Sequence, residues 1–368
     1  MKNIYFFIGT EAELIKVFPV IQACEGKFLV HIIASGQNDI KKSRIMKTLL
    51  NIKVELELSQ ECEIKKSAKG LLEWYINTYK QALGKITSKY SKADLFESYM
   101  IVHGDTISTF MGACIGKKLG MKVCHVEAGL RSHNLFNPFP EEIDRILTSK
   151  KSCIHFAPGE FAANNLKKAK GRVINTYYNT ILDSLKYSRK MPLSSLKEEQ
   201  FWNKKYFVFV MHRQENLANR KFFGEVIEKI EEIAKEKKCV IILHAITKIA
   251  MEEMGVFEQL KQNENIYLIP RVDYFDFMKV LDKAEFVITD GGSNQEELFY
   301  MGKPCLIMRK KTERNEGIGK NAILYDGDID KIAVFAKEYK KYRIDETNAD
   351  VSPSEIIVQT LFNDGEGN

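Results

Sequence analysis

No apolar run in this chain of 368 residues approaches the ~20 residues that a membrane-spanning helix needs. The opening Met1-Lys2-Asn3-Ile4-Tyr5-Phe6-Phe7-Ile8-Gly9 holds an apolar stretch too short for a signal peptide. It reads as a first strand, and the expectation is a cytoplasmic protein without membrane insertion. Seven cysteines (Cys24, Cys62, Cys114, Cys124, Cys153, Cys239, Cys305) are odd in number, widely spaced and never arranged as C-x-x-C. Neither a disulfide framework nor a zinc knuckle is indicated. Thiols inside apolar runs, as in Val123-Cys124-His125, read as buried and reduced. The seven histidines contain no H-E-x-x-H, so no metal is expected beyond one carried by a substrate's phosphates. The dinucleotide fingerprint G-x-G-x-x-G is missing after the first strand, where Gly9-Thr10-Glu11-Ala12-Glu13 stands instead. No cofactor is expected. The formal charge of +6 is spread along the chain with no basic arm, which argues against a nucleic-acid partner. Low-complexity segments are absent.

What is present is globular composition, 45% hydrophobic and 28% charged, in a length that suggests two domains. Short apolar runs alternate with longer amphipathic stretches throughout. Expected strands are Asn3–Gly9, Phe28–Ala34, Tyr99–Gly104, Lys122–Glu127, Cys153–Ala157 and Arg172–Asn175. A second series comprises Tyr206–His212, Cys239–His244, Ile266–Pro270, Phe286–Asp290, Pro304–Met308 and Ala322–Tyr325. Expected helices between them include Glu13–Cys24, Leu71–Leu83, Thr106–Leu119, Lys221–Lys235, Phe275–Leu281, Gln295–Met301 and Ile329–Tyr342. Continuous apolar strands separated by helices mean parallel sheets covered on both faces. The fold class is therefore α/β, with two doubly wound domains.

The polar stretch Ser188–Lys205 separates the two series. An internal echo supports similar halves: the strand ending His103-Gly104-Asp105 leads through a helix to Leu119-Gly120. In the same way, the strand ending Thr289-Asp290 leads to Met301-Gly302. Open parallel sheets bind ligands at the carboxyl ends of their strands, and two such sheets facing each other would line one cleft.

Three acids fall at the carboxyl edge of the first sheet. Asp105 and Glu127 each close a strand, and Glu141 follows Asn137-Pro138-Phe139-Pro140, where Pro140 is suited to open a helix. Arg145, at i+4 from Glu141, could turn the same face to the cleft. Each acid alone has a structural reading: Asp105 as a helix cap, Glu141 as a favourable charge at a helix N-terminus. Together, acids crowded in a dry cleft shift one another's pKa values, so that one serves as acid and another as base. In the second half, His212-Arg213 follows the run Tyr206–Val210 and suits a phosphate or a leaving-group oxygen. His244 ends the next strand, where a buried structural role weighs equally with ligand contact. Gly291-Gly292-Ser293, between a strand and a helix, lets phosphates approach backbone N–H groups at the helix's positive end. Glu297 lies one turn on, placed to accept from ribose hydroxyls, and Arg314 and Arg309 add positive charge.

Taken as a set, these segments resemble the non-hydrolysing UDP-N-acetylglucosamine 2-epimerases. The matching stretches in the first half are Gly9-Thr10, Ile15-Lys16 and Pro19, Val102–Thr106, His125–Arg131, Pro140-Glu141-Glu142 with Arg145, and Asn179-Thr180 with Asp183. In the second half they are His212-Arg213 with Glu215, Thr289-Asp290 with Gln295-Glu296-Glu297, Gly302-Lys303-Pro304 and Thr312-Glu313-Arg314. The resemblance implies a GT-B-type pair of Rossmann-like doubly wound domains facing across a cleft. Their expected limits are 1–177, with a C-terminal helix at about 353–368 crossing back, and 178–352.

It also implies a reaction: removal of the C2 proton of a UDP-N-acetylhexosamine coupled to loss of UDP, then re-addition of UDP with protonation on the other face of C2. Asp105, Glu127 and Glu141 match the family's catalytic acids and His212 the histidine near the leaving oxygen. Lys16, Glu297 and Arg314 match nucleotide contacts; Arg145, Arg213, His244, Gly291, Gly292 and Ser293 complete the expected binding set. The implied partners are a UDP-sugar and a second copy of the chain, and the implied setting is surface polysaccharide synthesis. A hydrolysing relative releasing free sugar and UDP, or a GT-B glycosyltransferase, are the alternatives. The chain departs from the family pattern at Glu11, where an arginine is usual, at Tyr178, at Asn38, and in the shifted order Gly291-Gly292-Ser293.

Overall fold

The computed structural model describes residues 1–50, 52–59, 68–134, 140–197 and 199–366; Cys62 and Asn137-Pro138-Phe139 lie outside the described residues. Seven strands, β1 (Asn3–Ile8), β2 (Leu29–Ala34), β3 (Val54–Glu57), β4 (Tyr99–His103), β5 (Lys122–Val126), β6 (Ile154–Ala157) and β7 (Arg172–Asn175), build one sheet in the order β3-β2-β1-β4-β5-β6-β7. Six more, β8 (Tyr206–Val210), β9 (Lys238–Leu243), β10 (Ile266–Pro270), β11 (Val287–Thr289), β12 (Cys305–Ile307) and β13 (Ala322–Leu324), build a second in the order β10-β9-β8-β11-β12-β13. Every named pairing is parallel. Both sheets run outward in two directions from their first strand, the Rossmann-like doubly wound α/β plan.

All twelve expected strands are present, each within one or two residues of its sequence limits. The internal echo is structural too: β4 to β5 and β11 to β12 are the same step in the two sheets. The strand that the sequence hid is β3. Its Val54-Glu55-Leu56-Glu57 is half-buried along its whole length and sits at the sheet edge, so it lacks the continuous apolar run of a central strand.

The chain divides into two compact units, Met1–Ser184 with Asp350–Asn368, and Leu185–Ala349. In the second, β8 is buried along its length, and Phe207 stacks on Phe286 with ring centroids 4.9 Å apart. Helix Arg220–Ala234 covers this core with Phe223, Val226, Ile227, Ile230 and Ile233, the 3–4 spacing of one helical face.

In the first unit, the C-terminal helix Pro353–Glu366 buries Ile357, Val358 and Leu361. Asp183 receives the Ser354 N–H and the Ser352 hydroxyl near its start, each at 2.9 Å. At its far end, the Asp364 carboxylate receives Tyr99 Oη at 3.1 Å, Lys122 Nζ at 2.8 Å and Arg172 Nη1 at 2.6 Å, from the starts of β4, β5 and β7. Burial works against the Asp364 charge, but Lys122, Tyr99 and Arg172 together outweigh it and hold the carboxyl below its ordinary value. A carboxyl lowered in the folded state stabilises above its unfolded pKa and loses that contribution as pH falls. Asp364→Asn should therefore cost on the order of 1 kcal/mol at pH 7, with the deficit shrinking through the carboxylate range in urea titrations at descending pH. Among the described residues no helix is long and apolar enough to cross a membrane.

Candidate active site

In the first unit the strand order reverses between β1 and β4, where a doubly wound sheet opens a crevice at its carboxyl edge. The turn after β4 requires Gly104, whose φ of 73° is left-handed. Burial drives the neighbouring His125 imidazole down to about 3. The ring is therefore neutral, and Nε2–H donates to the Gly104 carbonyl at 2.7 Å. Helix Ile107–Lys118 is capped by Thr106, whose hydroxyl accepts the Thr109 N–H at 3.2 Å. Asp105 is thus not the cap, and its carboxylate instead meets the Arg145 guanidinium.

Arg145 lies in helix Glu141–Lys151, which Glu141 opens directly after Pro140. The same guanidinium is 3.4 Å from Glu142, and Arg131 approaches Glu142 at 3.6 Å. Burial, reinforced by the charges of Asp105 and Glu141, raises Asp144 to about 7. The structure so gathers Asp105, Glu141 and Arg145 in one neighbourhood, with Asp144 beside both acids.

Glu127 stands one residue beyond β5 at a φ of 62°, a left-handed conformation that costs a non-glycine residue about 1 kcal/mol or more. Its buried carboxylate receives the Lys16 ammonium and the Asn179 amide, with His103 Nε2 3.6 Å away. Because His103 pairs with Val126 across β4 and β5, Asp105 and Glu127 leave adjacent strand ends. Lys16, expected among nucleotide contacts, is ion-paired within this unit to an acid. Across the crevice, Glu13 accepts the Gly9 N–H at 2.7 Å and the Thr106 hydroxyl at 2.6 Å. Burial raises its carboxyl to about 7, hydrogen bonds from Gly9, Thr106 and Thr10 oppose the rise, and Asp105 adds to it. Glu11, at the departure from the family pattern, opens helix Glu11–Ala23, where negative charge favours a helix N-terminus.

In the second unit the same reversal falls between β8 and β11. Asp290, fully buried beyond β11, accepts the His212 N–H at 3.0 Å, the Arg213 N–H at 2.9 Å and the Asn216 amide at 3.0 Å. One carboxylate thereby shapes the whole turn after β8. The His212 ring stacks on His244 with centroids 4.5 Å apart. Burial, with His212 and Arg271 nearby, lowers His244 to about 4 and keeps it neutral.

Helix Gly292–Tyr300 follows Gly291 without a side-chain cap, so its first N–H groups are not covered by a capping side chain. A Cβ on Gly292 would meet Arg314 Nη1 at 2.7 Å and one on Gly291 would come 3.3 Å from the His212 ring. Arg314 and His212 of this unit and the bare helix end therefore converge. Arg314 is steadied by Glu313 and by Glu296 at 3.2 Å, and Arg309 by Glu313 at 2.9 Å. Arg213 pairs with Glu215 at 2.6 Å. Glu297 is buried, accepting the Asn294 amide at 3.0 Å. Ser293 is half-buried in the first turn of the same helix.

Glu13, His103, Asp144, Asn179 and Asp290 were not among the expected site residues. Glu13 carried a usable signal, since Thr10-x-x-Glu13 has the form of a capping box. Asp144 shares a helix face with Glu141 at i+3. His103 had no comparable local signal.

A Rossmann-like, doubly wound α/β protein with ionisable side chains at the carboxyl edges of its sheets is the class these parts define. A sequence profile described as UDP-N-acetylglucosamine 2-epimerase matches residues 22–353. The UDP-N-acetylglucosamine 2-epimerase of Methanocaldococcus jannaschii is 33% identical over 336 residues, 87% of this chain and 87% of that protein. The structure of the Neisseria meningitidis UDP-GlcNAc 2-epimerase bound to UDP-GlcNAc matches with a TM-score of 0.81 at 29% identity, covering 99% of this chain and 100% of that one. The Methanocaldococcus jannaschii enzyme in complex with UDP-GlcNAc and UDP matches with a TM-score of 0.77 at 30% identity, again covering 99% and 100%. The chain belongs to the UDP-N-acetylglucosamine 2-epimerase family and is by class an isomerase.

Proposed function

We propose that the protein inverts C2 of a UDP-N-acetylhexosamine, interconverting UDP-N-acetylglucosamine and UDP-N-acetylmannosamine without net hydrolysis. The observation that carries this reading is that Asp105 and Glu127 leave adjacent strand ends, with Arg145 paired to Asp105 and with Asp144 near enough to feel the charges of Asp105 and Glu141. There Glu127 is held in a conformation that a non-glycine residue rarely adopts. Backbone strain of this kind persists where the surroundings over-determine it, and it concentrates at functional sites.

The C2 hydrogen of the substrate is not activated by a carbonyl at C1, so its removal needs a leaving group. A carboxylate of the first unit takes the C2 proton, the C1–O bond breaks, and the electron pair of C2–H becomes the C1=C2 bond of a glycal. UDP carries away the pair of the broken bond. In the return step a UDP oxygen attacks C1, and an acid delivers a proton to the opposite face of C2. Acids of raised pKa suit proton delivery near neutral pH. In the second unit, the N-terminus of helix Gly292–Tyr300, Arg314, Arg309, Arg213 and His212 offer donors that suit a diphosphate. The electron count closes within the substrate, so the step requires no redox cofactor.

The functional domains are drawn at 1–177 with 353–368, and at 178–352. The protein is proposed to act in the cytoplasm as a homodimer, supplying a precursor of surface polysaccharide.

The test is to incubate the protein with UDP-N-acetylglucosamine in heavy water and follow the sugar by proton NMR. Deuterium should enter C2 of the recovered UDP-sugar and UDP-N-acetylmannosamine should accumulate. Free N-acetylmannosamine with UDP would replace this reading by hydrolysis, and absence of both exchange and product across a panel of UDP-sugars would overturn it.

A further inference from the structure

Glu13 is 3% exposed, and its recorded partners are the Gly9 N–H and the hydroxyls of Thr106 and Thr10. Among the described residues no cation is paired with it. A buried carboxylate held only by neutral donors costs folding free energy that a neutral residue of the same shape would not. Its position shows what it does there. Gly9 follows β1, and Thr106 follows Asp105 in the turn after β4, so the carboxylate reaches across the point where the two chain directions separate. On one side it holds the turn that leads into the helix bearing Lys16, the partner of Glu127. On the other it holds the residue that follows Asp105.

We propose that Glu13 is a positioning residue for Asp105: by clasping the turn after β1 to Thr106, it sets where the Asp105 carboxyl stands during proton transfer at the sugar. The inference rests on the assignment of Asp105 to that chemistry. Arg145 holds the Asp105 carboxylate itself, whereas Glu13 holds the side chain of the residue that follows it. Two supports from different elements fix a side chain more tightly than either alone, and displacement by about 1 Å costs on the order of 10²-fold in rate.

Glu13→Gln keeps the shape and removes the charge. The amide cannot accept from both donors in the same way, since one of its two terminal atoms is itself a donor. The expected result is a fall in kcat of about 10²-fold with KM for UDP-N-acetylglucosamine changed by less than about three-fold, in a protein that melts no lower than wild type at pH 8. In an Asp105→Asn background the same substitution should cost nothing further, because a residue acting through Asp105 has nothing left to position. Should Glu13→Gln fail to fold, Thr106→Val opens the clasp from its other end and is read in the same two backgrounds. A kcat within about two-fold of wild type, or an equal loss with and without Asp105, overturns the proposal. Those results are read against wild-type exchange of deuterium at C2. A wild-type protein that exchanges none overturns the epimerase reading, and the role of Glu13 falls with it.

Discussion

Asp105→Asn and Glu127→Gln should each lower exchange at C2 of the UDP-sugar by about 10²–10⁴-fold, while UDP binds within a few-fold of wild type. Both substitutions keep the size of the side chain and remove its ability to take or give a proton. They differ in structural cost. The Asp105 side chain is 24% exposed, and the buried Arg145 guanidinium keeps Glu142 at 3.4 Å when the Asp105 charge is lost. Glu127 and Lys16 are each 4% exposed, and a buried ammonium without its acid is costly, on the order of 3–5 kcal/mol. Glu127→Gln should accordingly melt well below wild type, and its turnover is to be measured below that transition. Isothermal titration with UDP separates the readings. An affinity that falls in step with the rate makes the acids binding or structural groups, whereas an affinity left intact assigns them to the chemical step.

The second large effect is expected at Asp290, which no direct contact with substrate need explain. Asp290→Ala removes the acceptor of the His212 and Arg213 N–H groups and of the Asn216 amide. Each buried donor left without an acceptor costs about 1–3 kcal/mol. Relaxation and water entry recover part of this, leaving a loss of roughly 3 kcal/mol in urea unfolding. The turn after β8 would then no longer present His212 beside Gly291, and UDP affinity should fall by about ten-fold or more. Asp290→Asn retains one carbonyl acceptor and should lie between. Normal stability with normal UDP binding in the alanine variant would remove Asp290 from the organisation of this edge.

Much of the architecture is legible because burial on both faces leaves a local mark. β4 and β8 are buried at every position, so their sequences are uninterrupted apolar runs. Asp105, Glu127, His212 and Gly291-Gly292 could be picked out because each follows the end of such a run, where a parallel sheet presents its ligand edge. Strand β3 escaped notice since half its residues are charged and its edge position asks for no continuous apolar run. Asp105 had two readings on sequence, cap or chemistry. Thr106 settles the first by capping the helix itself.

Partnerships between distant residues had no such mark. Lys16 and Glu127 lie 111 positions apart, and Asn179 reaches the same carboxylate across 52 positions. Neither the spacing nor the residue types nominate these pairs over the many other charged groups in the chain. Periodicity and composition sufficed for the α/β class, the two series of strands and the placing of acids and glycines at strand ends, because these depend on what each segment must bury. Which acid meets which base, that Glu127 takes a left-handed backbone, and that burial raises Glu13 and Asp144 toward neutrality, follow from strand order and register. Those bring side chains remote in sequence within bonding distance and exclude water from around them.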